Sequence, residues 1–230
     1  MKIGLFGGTF NPIHHCHLTI ATQVQERLSL DQVLFIPVGD PPHRSSRDLA
    51  PAAHRLAMVR LAIAAHPAFA VSDIEVRRAE KSYSIETVRA LRAQYGSGTE
   101  LHFILGLDAF LEFPSWRQAA ELLTLCHFAV VSRTGLNFAP LTEKPPLPTI
   151  SRQALDALDR KTTDRVDVPV PGGTSLTLLR LPPCNVSASE IRARIRGRMS
   201  VASLLPAPVE SYIMTANLFQ EDPDRPGFQG

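Results

Sequence analysis

The chain has 230 residues, of which 44% are hydrophobic and 20% are charged, and its formal net charge is +2 at pH 7. This length suits one domain with a full core, and so small a charge gives no reason to expect nucleic acid or a membrane surface as a partner. No apolar run approaches the roughly 20 residues that span a bilayer. Cys16, Cys126 and Cys184 are widely spaced without a CxxC pair, which predicts free thiols and a cytoplasmic location.

In chain order, short apolar runs alternate with stretches of helical periodicity. The runs at 2–6, 33–38, 70–76, 101–105 and 128–132 have the length of buried parallel strands. Three stretches between them carry apolar residues at helical spacing, namely Leu18, Ala21, Val24 and Leu28, then Leu56, Val59 and Ile63, then Ile85, Val88 and Leu91. A capping box at 115–118 predicts a fourth helix that runs to about Leu125. The alternation predicts an α/β fold with a doubly wound, Rossmann-like, mostly parallel sheet and helices on both faces.

The second half is less regular. The segment 134–174 holds six prolines and only a weakly helical piece at 151–159, which predicts an insertion or lid within a single domain spanning 1–219. A strand at 175–181 and helices at 187–197 and 208–218 form the predicted C-terminal portion. The polar tail at 220–230 is predicted to be flexible.

A phosphate site is predicted where the first strand ends. Gly7 and Gly8 allow a tight turn, and the helix that begins near His17 offers free N–H groups and a positive dipole end. His14 and His17 are three residues apart, so both imidazoles can donate hydrogen bonds to phosphate. A simple turn, or a zinc site built on the cluster of histidines and Cys16, is an alternative. The sequence contains neither a GxGxxG fingerprint nor a Walker loop, which argues against dehydrogenases and P-loop enzymes.

The run 7–17, Gly-Gly-Thr-Phe-Asn-Pro-Ile-His-His-Cys-His, closely resembles the signature of nucleotidyltransferases with an HxGH motif. Within that superfamily, the residues of this run are most similar to those of the bacterial nicotinate-mononucleotide adenylyltransferases. One departure is Cys16, which stands where that family has glycine. The resemblance implies that His14 and His17 are catalytic and that the run binds ATP through Gly7, Gly8, Thr9, Phe10, His14 and His17, while Asn11 contacts the mononucleotide.

Two further motifs resemble the mononucleotide pocket of this family. His43 and Arg44 follow the second predicted strand in a Pro-Pro-His-Arg element, which is otherwise a rigid surface loop. Ser84 lies at the start of the third helix, where a plain N-cap is the alternative. The resemblance implies that this pocket is formed by Asn11, His43, Arg44, Tyr83, Ser84, Trp116 and Arg117. The face of Trp116 can stack on a pyridine ring, and a nearby helix start can receive its carboxylate.

Two strand ends carry the residues that resemble the ribose and phosphate contacts. Gly106 and Asp108 match the GxD motif of the family, where a carboxylate accepts ribose hydroxyls. A purely structural alternative is that Asp108 is the N-cap of a helix. Arg133 ends the next strand and matches the arginine of an RPG element, although Thr134 replaces its proline.

The sequence 185–192, Asn-Val-Ser-Ala-Ser-Glu-Ile-Arg, resembles the ISSTxIR signature of the family. Ser187 and Glu190 make a capping box, which is by itself only a helix start. The resemblance implies a second helix beginning aimed at ATP, with Ser187, Ser189 and a catalytic Arg192 near its phosphates.

The implied reaction is adenylyl transfer from ATP to nicotinate mononucleotide. Mg²⁺ would arrive on the ATP phosphates, so no metal cage is expected. The rivals are related enzymes that act on nicotinamide mononucleotide or phosphopantetheine, and a nucleotide-binding regulator without activity.

Overall fold

A computed structural model describes residues 1–39, 49–78, 80–142 and 144–220 of the chain. The strands are β1 (Lys2–Gly8), β2 (Gln32–Pro37), β3 (Phe69–Val71), β4 (Glu100–Gly106), β5 (His127–Val131), β6 (Arg165–Val170) and β7 (Thr174–Leu179). The helices are α1 (His15–Leu28), α2 (Ala52–Ile63), α3 (Ser84–Tyr95), α4 (Leu107–Leu111), α5 (Ala119–Leu125), α6 (Arg152–Asp159), α7 (Ala188–Arg196) and α8 (Ala207–Thr215). Two short 3₁₀ turns lie at Phe113–Ser115 and Ala139–Leu141.

All seven strands form one sheet in the order β3-β2-β1-β4-β5-β7-β6. Every neighbouring pair is parallel except β6 and β7, which are antiparallel at one edge. The chain winds outward from β1 in one direction and from β4 in the other. The carboxyl ends of β1 and β4 therefore flank the position where strand order reverses, which is where ligands bind in open α/β sheets.

Helices cover both faces of the sheet, as the alternation predicts. One face packs on α1, α2, α7 and α8 through residues such as Leu18, Met58 and Ile191. The other packs on α3, α4, α5 and α6 through residues such as Ile85 and Phe110. All apolar residues that predicted the first three helices are buried, because those stripes face the sheet.

Three local predictions need correction. The third strand has only three residues, Phe69–Val71, and not the seven of the apolar run at 70–76. The helix predicted from 115 begins at Ala119, because Ser115 closes a 3₁₀ turn and its hydroxyl donates to the carbonyl of Glu112. The first helical residue of α3 is Ser84, so the N-cap is Tyr83 and not the predicted serine.

The segment 134–174 contributes to the sheet and to the core. It contains α6 and the edge strand β6, which the proline content concealed since prolines are tolerated at a sheet edge. Phe138, Leu141 and Leu155 are at most 2% exposed and pack in the same layer as Phe110. Most of the segment is thus folded against the sheet, while its first residues border the cavity described below. Its role as a lid remains a prediction.

All of the predicted tail except Gln220 lies outside the described residues. In the described ranges, no helix combines the length and the apolar character that crossing a membrane requires.

Candidate active site

The candidate site is built around glycines at the ends of the two central strands. Gly7 and Gly8 end β1, and Gly106 ends β4. A Cβ on Gly8 would lie 2.9 Å from the ring of Phe10, and a Cβ on Gly106 would collide with the carboxylate of Asp108. At Gly8 the neighbouring ring is buried and leaves no room for a Cβ, whereas at Gly106 the half-exposed Asp108 side chain would have to move.

A buried arginine that the sequence analysis did not single out holds the loop after β1. Arg55 of α2 is 1% exposed, and its guanidinium donates to the carbonyls of Thr9 (3.0 Å), Val38 (2.5 Å), Gly39 (2.6 Å) and Ala50 (2.9 Å). These bonds tie the predicted ATP loop to the end of β2 and to the start of α2. An arginine within the apolar stripe of α2 was the sequence signal for this role.

His14 and His17 lie against each other at the start of α1. Their ring centroids are 3.8 Å apart, and the backbone N–H of His14 donates to Nδ1 of His17 at 3.2 Å. Since Nδ1 of His17 accepts, the proton of its neutral ring is on Nε2. The His17 ring is half-buried and meets the edge of Phe10 at 5.1 Å between centroids. The pair therefore sits in a fixed arrangement with an N–H donor on the second histidine.

Both imidazoles are held in the neutral form. Burial, then the nearby Arg133 and His15, lower the pKa of His14 to about 4. Burial, then His14 and Arg133, lower the pKa of His17 well below its ordinary value of 6.5. At neutral pH these rings are therefore hydrogen-bond donors and not cations, which leaves the positive charge near them to arginines.

Two residues predicted to contact ligands have buried side chains. Phe10 is 2% exposed and packs on Phe6 and Phe35 as well as on His17. Asn11 is 3% exposed, and its side-chain oxygen accepts from the backbone N–H of Ala50 at 3.0 Å. These contacts give both side chains a positioning role in the loop, and their contacts with a ligand remain predictions.

The start of α7 meets the loop before α1. Arg192 donates from Nη1 to the carbonyl of Asn11 at 2.9 Å, and its Nη2 lies 3.5 Å from the hydroxyl of Ser189. Ser187 is the N-cap, and its hydroxyl accepts from the N–H of Glu190 at 3.1 Å. Only this half of the predicted capping box is present, because the Glu190 carboxylate pairs with Arg194 at 3.0 Å. The structure thus brings Arg192 to the same loop as the histidines, across 181 residues of sequence.

Asp108 and Arg133 form an ion pair at the carboxyl ends of β4 and β5. Nε of Arg133 lies 3.2 Å from Oδ1 of Asp108, and both side chains are about half exposed. Asp108 lies in the first turn of α4, whose N-cap is Gly106, so the alternative role of the aspartate as cap is wrong. A cavity of about 850 Å³ beside this pair is bordered by 132–138 and by 180–187, including Ser187. It is large enough to hold a nucleoside.

The expectation of three free thiols is wrong for two of them. Cys16 and Cys184 form a disulfide, with their Cα atoms 5.7 Å apart, and Cys126 is free and buried. The expectation rested on spacing, but folding joins cysteines that are 168 residues apart in sequence. With its sulfur bonded, Cys16 is not available as a metal ligand, which removes the alternative of a zinc site there.

Besides Asn11, four predicted pyridine-pocket residues lie within the described ranges, and all four are at the carboxyl ends of the strands. The guanidinium carbon of Arg117 lies 4.7 Å from the centroid of the Tyr83 ring. Tyr83 directly precedes Ser84, the first residue of α3. Arg117 also donates to Glu86 of α3 at 3.3 Å. Trp116 is half-buried and packs on Phe113. The start of α3 and the turn before α5 therefore form one aromatic and basic cluster. His43 and Arg44 lie outside the described residues.

A second imidazole cluster lies at the opposite ends of the strands. Glu100, His102 and His127 have potential ligand atoms within 4.8 Å of one another at the amino ends of β4 and β5. Because the candidate site is at the carboxyl ends, this cluster is not part of it.

Comparison with known proteins places the chain in a family. Residues 5–194 match the family model described as cytidylyltransferase-like. The chain is 40% identical to the probable nicotinate-nucleotide adenylyltransferase of Geobacter metallireducens, with 96% of this chain and all of the relative covered. It is 43% identical to the protein of that name from Pelobacter propionicus, with 97% and 100% covered.

Among solved structures, the Plasmodium falciparum nicotinic acid mononucleotide adenylyltransferase complexed with NaAD matches with a TM-score of 0.70 at 16% identity, and 95% of this chain and 97% of that chain are covered. That likeness supports the doubly wound fold. The chain belongs to the cytidylyltransferase-like family, and within it to the group of nicotinate-nucleotide adenylyltransferases.

Proposed function

We propose that the chain transfers the adenylyl group of ATP to nicotinate mononucleotide, which yields nicotinate adenine dinucleotide and pyrophosphate in NAD biosynthesis. The observation that carries this proposal is the meeting of two helix beginnings at the strand-order reversal. The start of α1 brings His14 and His17, and the start of α7 brings Arg192, whose guanidinium bonds the carbonyl of Asn11 at 2.9 Å. Two positive helix ends with donors between them suit one triphosphate.

The reaction needs no nucleophile from the protein. A phosphate oxygen of the mononucleotide attacks the α-phosphorus of ATP, and the bond from that phosphorus to the β-bridging oxygen breaks as pyrophosphate leaves. Nε2–H of His17 donates to a phosphate oxygen, and Arg192 neutralises charge that develops on the leaving group. Catalysis then consists of positioning and electrostatic stabilisation.

The neutral state of the histidines suits this role. Protonation would cost the burial energy that lowers the pKa of both rings, so each acts as a fixed donor over the physiological range. Arg133 supplies the nearby positive charge, and its partner Asp108 would accept hydrogen bonds from a ribose.

Mg²⁺ belongs to the substrate in this proposal. The side chains of His14, His17 and Arg192 at the two helix beginnings are imidazoles and a guanidinium, which do not match the oxygen ligands that Mg²⁺ prefers. The ion would therefore be held mainly by ATP phosphate oxygens and water, and MgATP is the expected substrate.

The cluster at Tyr83, Ser84, Trp116 and Arg117 supports a pyridine carboxylate as the acceptor. The Trp116 ring offers a stacking face, and the positive end of α3 and the Arg117 guanidinium favour an anionic substituent over a neutral amide. This preference is the basis for proposing the acid over nicotinamide mononucleotide or phosphopantetheine. A cytoplasmic location remains a prediction. Because Cys16 and Cys184 form a disulfide, the expectation of three free thiols no longer supports it.

The test is a pyrophosphate-release assay with MgATP and each of three acceptors: nicotinate mononucleotide, nicotinamide mononucleotide and phosphopantetheine. We expect the highest kcat/KM for the acid. A higher value for either other acceptor would reassign the substrate, and the absence of pyrophosphate with all three would favour a nucleotide-binding regulator. The Arg117→Gln variant, which keeps much of the side-chain length but loses the charge, should lose most of the preference for acid over amide.

A further inference from the structure

We propose that Cys16 and Cys184 form a thiol–disulfide exchange site that controls the affinity for ATP. This inference rests on the proposed function for its effect on catalysis, but the exchange chemistry can be measured without it. Cys16 is the second residue of α1, directly between His15 and His17. Cys184 lies three residues before Ser187, the N-cap of α7. The bond between them therefore joins the two helix beginnings that the proposed function assigns to the triphosphate.

The disulfide is a main tether of the loop that leads into α7. Pro182, Pro183 and Asn185 of this loop are exposed, and Asn185 makes a side-chain hydrogen bond of 3.4 Å to Thr134. The covalent link to Cys16 fixes the same loop to a residue that is only 1% exposed. Breaking it leaves residues 182–185 with weak surface contacts, while Val186 and the buried Ile191 and Ile195 keep the start of α7 packed on the core.

The geometry also gives the bond an accessible side. Cys184 is partly exposed and borders the 850 Å³ cavity, whereas Cys16 is buried. A small thiolate therefore attacks Sγ of Cys184, which forms a mixed disulfide and releases Cys16 as the thiolate. Burial opposes the charge of that thiolate, but its position in the first turn of α1 offsets part of this cost because the helix end favours negative charge.

Full reduction of the protein disulfide consumes two small thiols. A second thiolate attacks the mixed disulfide, which frees Cys184 and leaves the two small thiols joined as a disulfide; the reverse sequence re-forms the protein disulfide from the oxidised small molecule. The reaction partner is thus a small thiol and its disulfide, of which glutathione is the probe.

Reduction should weaken ATP binding more than it slows chemistry. In the oxidised protein the loop before α7 is already ordered, but in the reduced protein ATP binding has to order it, and that cost appears as lost affinity. A reduced Cys16 also competes with phosphate for the same helix beginning if it ionises. We expect the KM for ATP to rise about tenfold on reduction, with a much smaller change in kcat.

The third cysteine serves as the matched control. Cys126 is 1% exposed, and burial raises its pKa far above the usual range, so it does not exchange. The Cys126→Ala variant should keep the full redox response, since this residue lies directly before β5, at the amino ends of the strands and away from both helix beginnings.

The experiment equilibrates the full-length protein in glutathione buffers of graded reduced-to-oxidised ratio, then blocks free thiols with an alkylating reagent and counts them by mass spectrometry. Cys16 and Cys184 should become alkylated together, at the same ratio in wild type and in Cys126→Ala. Samples from each ratio are assayed for pyrophosphate release, and the KM for ATP should follow the thiol count. Cys184→Ser and Cys16→Ala should each have the high KM at every ratio.

Several outcomes would overturn the inference. These are an equal KM for ATP in fully oxidised and fully reduced wild type, a redox response that persists in Cys184→Ser, or two thiols that never pair in oxidising buffer. If no pyrophosphate is released in any state, the proposed function fails, while thiol pairing still reports on the exchange site. The comparison of the two wild-type states stands even if a cysteine variant does not fold.

Discussion

The backbone N–H of His14 donates to Nδ1 of His17 at 3.2 Å, so the residue that caps α1 also orients the imidazole three residues later. This bond fixes the tautomer of His17 with its proton on Nε2. The local geometry of one helix start thereby determines which ring atom can donate to a bound phosphate.

Replacing His17 by alanine removes this donor, and we expect kcat for pyrophosphate release to fall about 10²–10³-fold, as for the loss of one preorganised transition-state donor. Folding should persist because the half-buried ring covers only part of Phe10. The control is His15→Ala, which changes an exposed imidazole in the same helical turn and should keep the wild-type rate. A near-normal rate in His17→Ala, or an equal loss in His15→Ala, would contradict the role given to His17.

The two glycines at the end of β1 should respond differently to substitution. In Gly8→Ala the new methyl group would lie 2.9–3.2 Å from the ring of Phe10, which has little room to move because it is buried. We expect a loss of about 1–3 kcal/mol in the free energy of unfolding from overpacking. Gly7→Ala meets its nearest atom at 3.9 Å and should lose much less stability. Urea denaturation of both variants tests the difference, and equal losses would disprove it.

Arg55 should be essential for stability although it is not itself among the residues proposed to bind a ligand. Arg55→Met keeps much of the side-chain volume but leaves the carbonyls of Thr9, Val38, Gly39 and Ala50 without this donor. We expect a loss of at least about 3 kcal/mol in the free energy of unfolding. Arg60→Met on the same helix removes an exposed ion pair of 3.9 Å and should cost less than about 1 kcal/mol. Chemical denaturation measures both, and a small loss in Arg55→Met would refute the anchoring role.

Acid should destabilise the fold through its buried neutral histidines. Burial lowers the pKa of His14 and of His102 to about 4. Between pH 6.5 and about 4 the unfolded chain therefore binds protons that the folded protein does not, so the free energy of unfolding falls as the pH falls. The slope is about 1.4 kcal/mol per pH unit for each full proton of difference.

The His102→Gln variant separates this effect from catalysis, since residue 102 lies at the amino end of β4. Its stability should fall less steeply than wild type between pH 6.5 and 4, while kcat at pH 7.5 stays at the wild-type value. Denaturation curves across this range measure the slope, and an unchanged slope would show that His102 is not a source of the acid sensitivity.

The amphipathic stripes and the short apolar runs determined the fold class, because the first three helices bury the residues that their periodicity marked. The serine cap of α7 was equally local and was predicted correctly, but the turn predicted at Gly7–Gly8 lies at Asn11–Pro12, after both glycines have ended β1. Predictions failed where tertiary context overrides local pattern. The start of α5 moved from 115 to 119, and β6 formed in a proline-rich segment because β7 supplied a partner at the sheet edge.

The sequence by itself determined which residue types collect at the strand ends and, through its motifs, which family they resemble. Tertiary structure alone decided that Arg192 reaches the loop of Asn11, that Arg55 holds that loop, and that Cys16 pairs with Cys184. The physical reason is that periodicity and capping act over a few residues, whereas these contacts join parts of the chain that only the wound sheet brings together.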